Sequence, residues 1–181
     1  MSLAADATLT PMEAALVKRW RLKRFRVRFL RLCAFLVALG LAYWAMTPYA
    51  MLGWNVTDSL PGRVYLIVKV QKPGQGDKVA FYPPKTPYYP QGIFFTKILL
   101  GMPGDVVSHQ GRDVYLNSKK IGTAVPFDRA RHRPLEMAPA GVIPAGHYFV
   151  WTPHPRSYDS RYADIGLVSD AQILGRAYRL L

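Results

Sequence analysis

Very little thiol chemistry is open to this chain, because its 181 residues include one cysteine, Cys33, and that residue lies inside an apolar run. The part that follows it therefore has no disulfide and no thiol nucleophile and must hold together by its core. Metal ligation is equally thin: the four histidines, His109, His132, His147 and His154, show no ligand spacing, and none is assigned a catalytic role. There is no nucleotide-binding loop, so no cofactor and no metal are expected. No repeat of fixed period and no low-complexity tract divides the chain. Acidic residues are scarce, 11 against 24 Lys and Arg, which gives a net charge of +13.

What is present is unevenly placed. Eight of the basic residues (Lys18, Arg19, Arg21, Lys23, Arg24, Arg26, Arg28 and Arg31) fall within fourteen consecutive positions. Immediately after them, residues 32–46 carry no charge at all. With the flank from Phe29 this run is about 18 residues, or roughly 27 Å of helix, enough to cross a bilayer's hydrocarbon. A buried core helix would show polar residues at helical spacing, whereas this run is apolar on every side. A cleaved signal peptide is the alternative, but the basic region is long and Tyr43 and Trp44 stand where a small-x-small cleavage pattern would be. The expectation is an uncleaved anchor over 29–47, a basic cytoplasmic segment over 1–28, and an exported domain over 48–181. Tyr43, Trp44, Tyr49 and Trp54 are expected to form an aromatic belt at the far interface, with Pro48 stopping the helix.

Past the anchor, short β-rich runs alternate with Gly, Pro and Asp, and the natural class is mostly β. Candidate strands are 64–70, 78–82, 93–99, 105–109, 114–116 and 148–152, with a hairpin tip at 117–120 and a loop or flap over 126–141. Only the tail, 169–176, has a helix-like composition, which suits one short turn of helix. The cluster Arg129, Arg131, His132 and Arg133 lacks interleaved aromatics, and beside an anchor a basic face suits anionic headgroups, so the lipid bilayer is the expected partner and nucleic acid is not.

Ser59, in Asp58-Ser59-Leu60-Pro61-Gly62, taken alone reads as a turn residue. Its position 13 residues after Met46 places it near the membrane surface. A serine nucleophile needs a base, and with no suitable histidine that base must be a lysine kept neutral by desolvation. In Ile93-Phe-Phe-Thr-Lys97-Ile-Leu-Leu100, alternation puts Ile93, Phe95 and Leu99 on the face of Lys97. A snorkelling structural lysine fits the same pattern, and Lys69 and Lys78 sit in similar surroundings.

The order and spacing of four boxes resemble those of the type I signal peptidases. Asn55-Val-Thr-Asp-Ser59-Leu-Pro61 resembles the nucleophile box of the conjugative-transfer (TraF-type) branch more than that of general leader peptidases. Gly76-Asp77-Lys78-Val79-Ala80-Phe81 is similar to the Gly-Asp strand box. Lys97 with Gly101, Pro103, Gly104 and Asp105 resembles the general-base box, and Ser157-Tyr-Asp159-Ser160-Arg161-Tyr162 the last. Three departures stand out: Ile98 where Arg is usual, Thr-Pro-His-Pro-Arg over 152–156 in place of a Gly-Asp-Asn lead-in, and two extra residues before Gly166. The resemblance implies a signal-peptidase-like β-rich domain in which Ser59 is nucleophile and Lys97 general base. It further implies an oxyanion hole from Thr57 and Ser59, a lysine-orienting role for Ser157, and a structural ion pair of Asp159 with Arg161. It also implies a bacterial inner membrane with the domain in the periplasm, and a precursor protein or pilin as substrate, with head-to-tail joining of the pilin as one outcome. A general leader peptidase, or a silent membrane-tethered β-domain of a secretion or conjugation apparatus, remains open.

Overall fold

In the computed structural model, residues 11–55, 57–86, 88–128 and 132–181 are described. The chain divides into two units, 1–47 and 48–181. The described residues of the first form one helix, α1, Pro11–Met46, about 54 Å long at 1.5 Å per residue. It runs straight through the basic block that the sequence reading kept outside the span, because Lys, Arg and Leu are good helix formers and nothing between Pro11 and Pro48 breaks the pattern. Its end is capped by Thr47, whose N–H reaches the Tyr43 and Trp44 carbonyls while its hydroxyl donates to Trp44 O at 2.7 Å. By length and composition α1 fits a membrane anchor or a signal sequence.

The second unit is mostly β. Its strands are β1 (Ala50–Trp54), β2 (Val64–Val68), β3 (Lys78–Phe81), β4 (Phe95–Gly101), β5 (Val106–Gln110), β6 (Asp113–Leu116), β7 (Lys119–Thr123), β8 (Gly141–Val142), β9 (His147–Trp151), β10 (Val168–Ser169) and β11 (Ile173–Arg179). They form a seven-stranded sheet in the order β1-β2-β11-β3-β4-β9-β10 and a four-stranded sheet in the order β7-β6-β5-β8. All pairings are antiparallel. The β6–β7 hairpin turns on Asn117 and Ser118, both at positive φ (48° and 66°), the backbone a tight two-residue hairpin requires.

β7, β8 and β10 lie outside the candidate strands, β7 starting inside the expected hairpin tip, and two further differences bear on the large sheet. Trp54, expected in the aromatic belt, ends β1 (Ala50–Trp54), a strand outside the expected runs; Ala-Met-Leu-Gly-Trp has no β-branched residue to announce it. The tail 169–176 is helical only for one turn at Asp170–Gln172, after which β11 inserts into the middle of the large sheet. Gly175 makes that insertion feasible. It sits at φ 152°, and a Cβ there would lie 2.3 Å from the Val68 carbonyl oxygen, so only glycine lets the strands approach. β11 pairs with β2 on one side and β3 on the other, and β2 and β3 do not pair with each other.

The large sheet's core holds Val79, Phe81, Leu99, Val150, Ile165 and Val168. A second cluster, around Val114, Leu116, Ile143, Phe149 and Tyr162, packs against the small sheet. In the connection from β7 to β8, Phe127 bridges Pro134 and Met137 bridges Tyr162. Arg129 and Arg131 of the basic cluster lie outside the described residues.

Candidate active site

β4 delivers the lysine. Along Phe95–Gly101 burial alternates, with Lys97, Leu99 and Gly101 inward, and Lys97 faces Val79 across the β3 pair. Phe95 opens the strand, its ring 5.9 Å from the Lys97 amine. Ile93, expected on the same face, precedes the strand and is 36% exposed, because the extended run begins two residues later than the alternation suggested.

Lys97 is only 5% exposed. Its Nζ donates to Ser157 Oγ at 2.8 Å and to Ser59 Oγ at 3.1 Å. Burial pulls its pKa down to about 8, with Arg161 adding to the fall; the Asp159 carboxylate opposes both. Asp159 supplies part of a counter-charge for this amine, but it is committed to Arg161.

That pair is fully buried and bidentate, Arg161 Nε to Asp159 Oδ1 at 2.8 Å and Nη2 to Oδ2 at 2.9 Å. Nη2 also donates to the carbonyls of Ser157 and His154, each at 3.1 Å. Arg161 thus ties together the loop that carries Ser157. The Thr152 N–H donates to the same carboxylate at 3.3 Å, closing the loop at its start.

Ser59 lies half-buried in the turn between β1 and β2. Thr57 Oγ1 is 3.0 Å from Ser59 Oγ. The turn is braced by a residue to which the sequence reading gave no role. Asn55 Nδ2 donates to the carbonyls of Leu60 and Gly62, and Asn55 Oδ1 accepts from the N–H and the hydroxyl of Thr57. Tyr65, 1% exposed, adds a hydroxyl bond to the Pro61 carbonyl. The signal available for Asn55 was its place four residues before the serine; its partners depend on the turn's shape.

Ser59, Lys97 and Ser157 therefore share one hydrogen-bonded line, with Thr57 beside Ser59 and the Asp159–Arg161 pair beneath Ser157. Lys69 and Lys78, the other lysines considered, sit on other parts of the sheet: Lys69 follows β2, and Lys78 lies opposite Ile98 in the β3–β4 pair. Such an arrangement can deprotonate a hydroxyl at neutral pH.

A family model described as signal peptidase, peptidase S26, matches residues 24–181. The chain belongs to that family. Relatives of this chain include a conjugal transfer protein TraF of Agrobacterium fabrum, 28% identical over 79% of this chain and 91% of that protein. A probable conjugal transfer protein TraF of Sinorhizobium fredii is 29% identical over 70% of this chain and 75% of its own length. Among solved structures, a signal peptidase I from Enterococcus faecalis is 25% identical, covering 59% of this chain and 97% of that one, with a TM-score of 0.37. Two of the chain's departures from the usual motifs can be located. Ile98 is on the strand face opposite Lys97, paired with Trp151, and the altered lead-in over 152–156 still offers the His154 carbonyl to Arg161.

Proposed function

We propose that this chain is a membrane-anchored serine endopeptidase that cleaves exported precursors with a Ser59/Lys97 dyad. The observation that carries the reading is the buried Lys97 amine, held between Ser59 and Ser157 with its pKa lowered to about 8. In this reading Ser59 Oγ attacks the scissile carbonyl carbon while neutral Lys97 takes the hydroxyl proton. The tetrahedral oxyanion receives hydrogen bonds from the Ser59 N–H and the Thr57 hydroxyl, an interaction worth roughly 3 kcal/mol per donor in such sites. The C–N bond then breaks, Lys97 returns the proton to the departing amine, and an ester on Ser59 remains for water or an amine to resolve.

Ser157 orients the lysine amine, and the Asp159–Arg161 pair holds Ser157. The helix α1 serves as anchor, and the excess of Lys and Arg before its apolar stretch favours a cytoplasmic N-terminus with the β unit in the periplasm. A cleft of about 700 Å³ lined by Tyr88, Tyr89, Phe127 and Tyr158 adjoins this region through the Tyr89–Phe95 ring contact, 4.8 Å between centroids, and supplies apolar walls for a substrate chain. The relatives named as conjugal transfer proteins favour a pilin, or another component of a conjugation apparatus, as the precursor.

The test is direct. The purified full-length protein in detergent is incubated with candidate exported proteins of the same cell, and new termini are mapped by mass spectrometry. Ser59→Ala should abolish every new terminus while leaving the protein folded and in the membrane, since the loss of one partly exposed hydroxyl changes stability little. Processing near the wild-type level in that variant excludes the serine-peptidase reading.

A further inference from the structure

The hydrogen bonds around Ser59 have a direction, and Asn55 sets it. Its two amide hydrogens are both used, on the Leu60 and Gly62 carbonyls at 3.0 Å each, which fixes Oδ1 towards Thr57. There Oδ1 lies 3.2 Å from both the Thr57 nitrogen and the Thr57 hydroxyl oxygen. An amide oxygen can only accept, so the single hydroxyl proton of Thr57 points at Asn55. Across the 3.0 Å contact with Ser59, Thr57 can then only accept, and Ser59 must donate. Ser59's proton is thereby turned away from the Lys97 amine 3.1 Å on its other side, which donates in its turn. The resting chain runs Lys97 to Ser59 to Thr57 to Asn55, with every donor aimed the same way and the serine proton facing away from its base.

We infer that Asn55 is a positioning residue for the oxyanion donor, holding Thr57 and its hydroxyl proton beside Ser59, ready to turn to the substrate's developing charge. The inference rests on the dyad reading above. An oxyanion is a stronger acceptor than an amide oxygen, because charge-assisted hydrogen bonds are roughly twice as strong as neutral ones. As negative charge develops on the substrate, the Thr57 hydroxyl rotates to it. Asn55 Oδ1 keeps the Thr57 N–H during that rotation, so the turn does not move with the hydroxyl. Once Lys97 is neutral, Ser59 redirects its own proton to the amine. Asn55 touches neither Ser59 nor Lys97; besides bracing the turn it acts on the oxyanion donor through Thr57, and that part can be measured.

The experiment compares Asn55→Ala, Thr57→Val and the double variant of the full-length protein, reading kcat and KM on a processed precursor and the rate of Ser59 labelling by a fluorophosphonate. Ser59→Ala is the blank. Each single substitution should lower kcat and the labelling rate about 10- to 100-fold, less than or comparable to the loss of one oxyanion donor, with KM within about twofold. The double variant should be no slower than the slower single, because both remove the same interaction. Asn55→Ser, which keeps a side-chain acceptor for the Thr57 N–H and drops both donors to the carbonyls, should recover part of the loss. Losses that multiply in the double variant, a change confined to KM, or Asn55→Ser no better than Asn55→Ala would reduce Asn55 to a brace of the turn and overturn the inference. Wild-type protein in which Ser59 is neither labelled nor needed for processing would instead overturn the dyad reading, and this inference with it.

Discussion

Lys97 is a side chain placed where its charge is costly. Desolvation is the largest cause of its lowered pKa, so at pH 7 only about a tenth of the molecules hold it neutral if the value is near 8. The rate of the chemical step should climb roughly tenfold per pH unit below 8 and level off above it. A pH profile of kcat under single-turnover conditions checks this, and a flat profile would remove lysine as the base. Lys97→Arg should be as inactive as Lys97→Ala, since guanidinium stays protonated at any accessible pH. Stability should carry the same signature. Below about pH 8 the amine is charged in both folded and unfolded chains, and the folded state bears the whole cost. Between 8 and the unfolded value of 10.5 the unfolded chain holds a proton that the folded one lacks, so stability rises with pH, by about 3 kcal/mol in all. Lys97→Met has no such rise. Its thermal midpoint should exceed the wild type's most at pH 7, and the gap should narrow towards pH 10. The residues that meet here were legible as motif positions, because residue type and spacing are local properties. The bonds of Asn55 were not, since its donors reach carbonyls five and seven residues on through a turn whose shape no propensity dictates.

Among the elements, the loop from Thr152 to Arg161 depends on one ion pair. Asp159 and Arg161 are both essentially without solvent contact, and the guanidinium reaches two carbonyls of the same loop. Removing one partner leaves the other charged and buried, which typically costs about 3–5 kcal/mol. Arg161→Ala should therefore lower stability by that order in chemical or thermal unfolding, and lower kcat as Ser157 loses its support. An unchanged midpoint would mean that the pair contributes no net stability. Most strands could be read from alternation: β2, β3, β5, β6 and β9 lie within a residue or two of the expected runs, and β4 begins and ends two residues later. β11 could not, because Ile-Leu-Gly-Arg-Ala-Tyr-Arg mixes helix formers with a glycine, and its strand state comes from neighbours on both sides. β1 escaped for the related reason that an apolar stretch just after an anchor reads equally well as interfacial.

For the molecule as a whole, the fate of the acyl-enzyme in the proposed mechanism separates two products. Water yields a linear pilin, whereas the substrate's own N-terminus, held at high effective concentration, yields a ring. With a pilin as substrate, the expected product is cyclic and lighter by one water than the linear chain of the same residues, as read by intact mass. A linear mass with a free N-terminus would make the protein a hydrolase. Little in composition bears on that choice, because the dyad serves both outcomes. The placement of β11 has a further bearing on when the activity can begin. Ser59 belongs to the β1–β2 half of the large sheet and Lys97 to the β3–β4 half, and β11 is the strand that pairs with both halves. It is also translated after every other strand described. While a ribosome is still adding those residues, Ser59 and Lys97 belong to two pieces of an incomplete sheet with no strand pairing between them. On the proposed mechanism, the order of synthesis would keep Ser59 and Lys97 apart in a half-made chain.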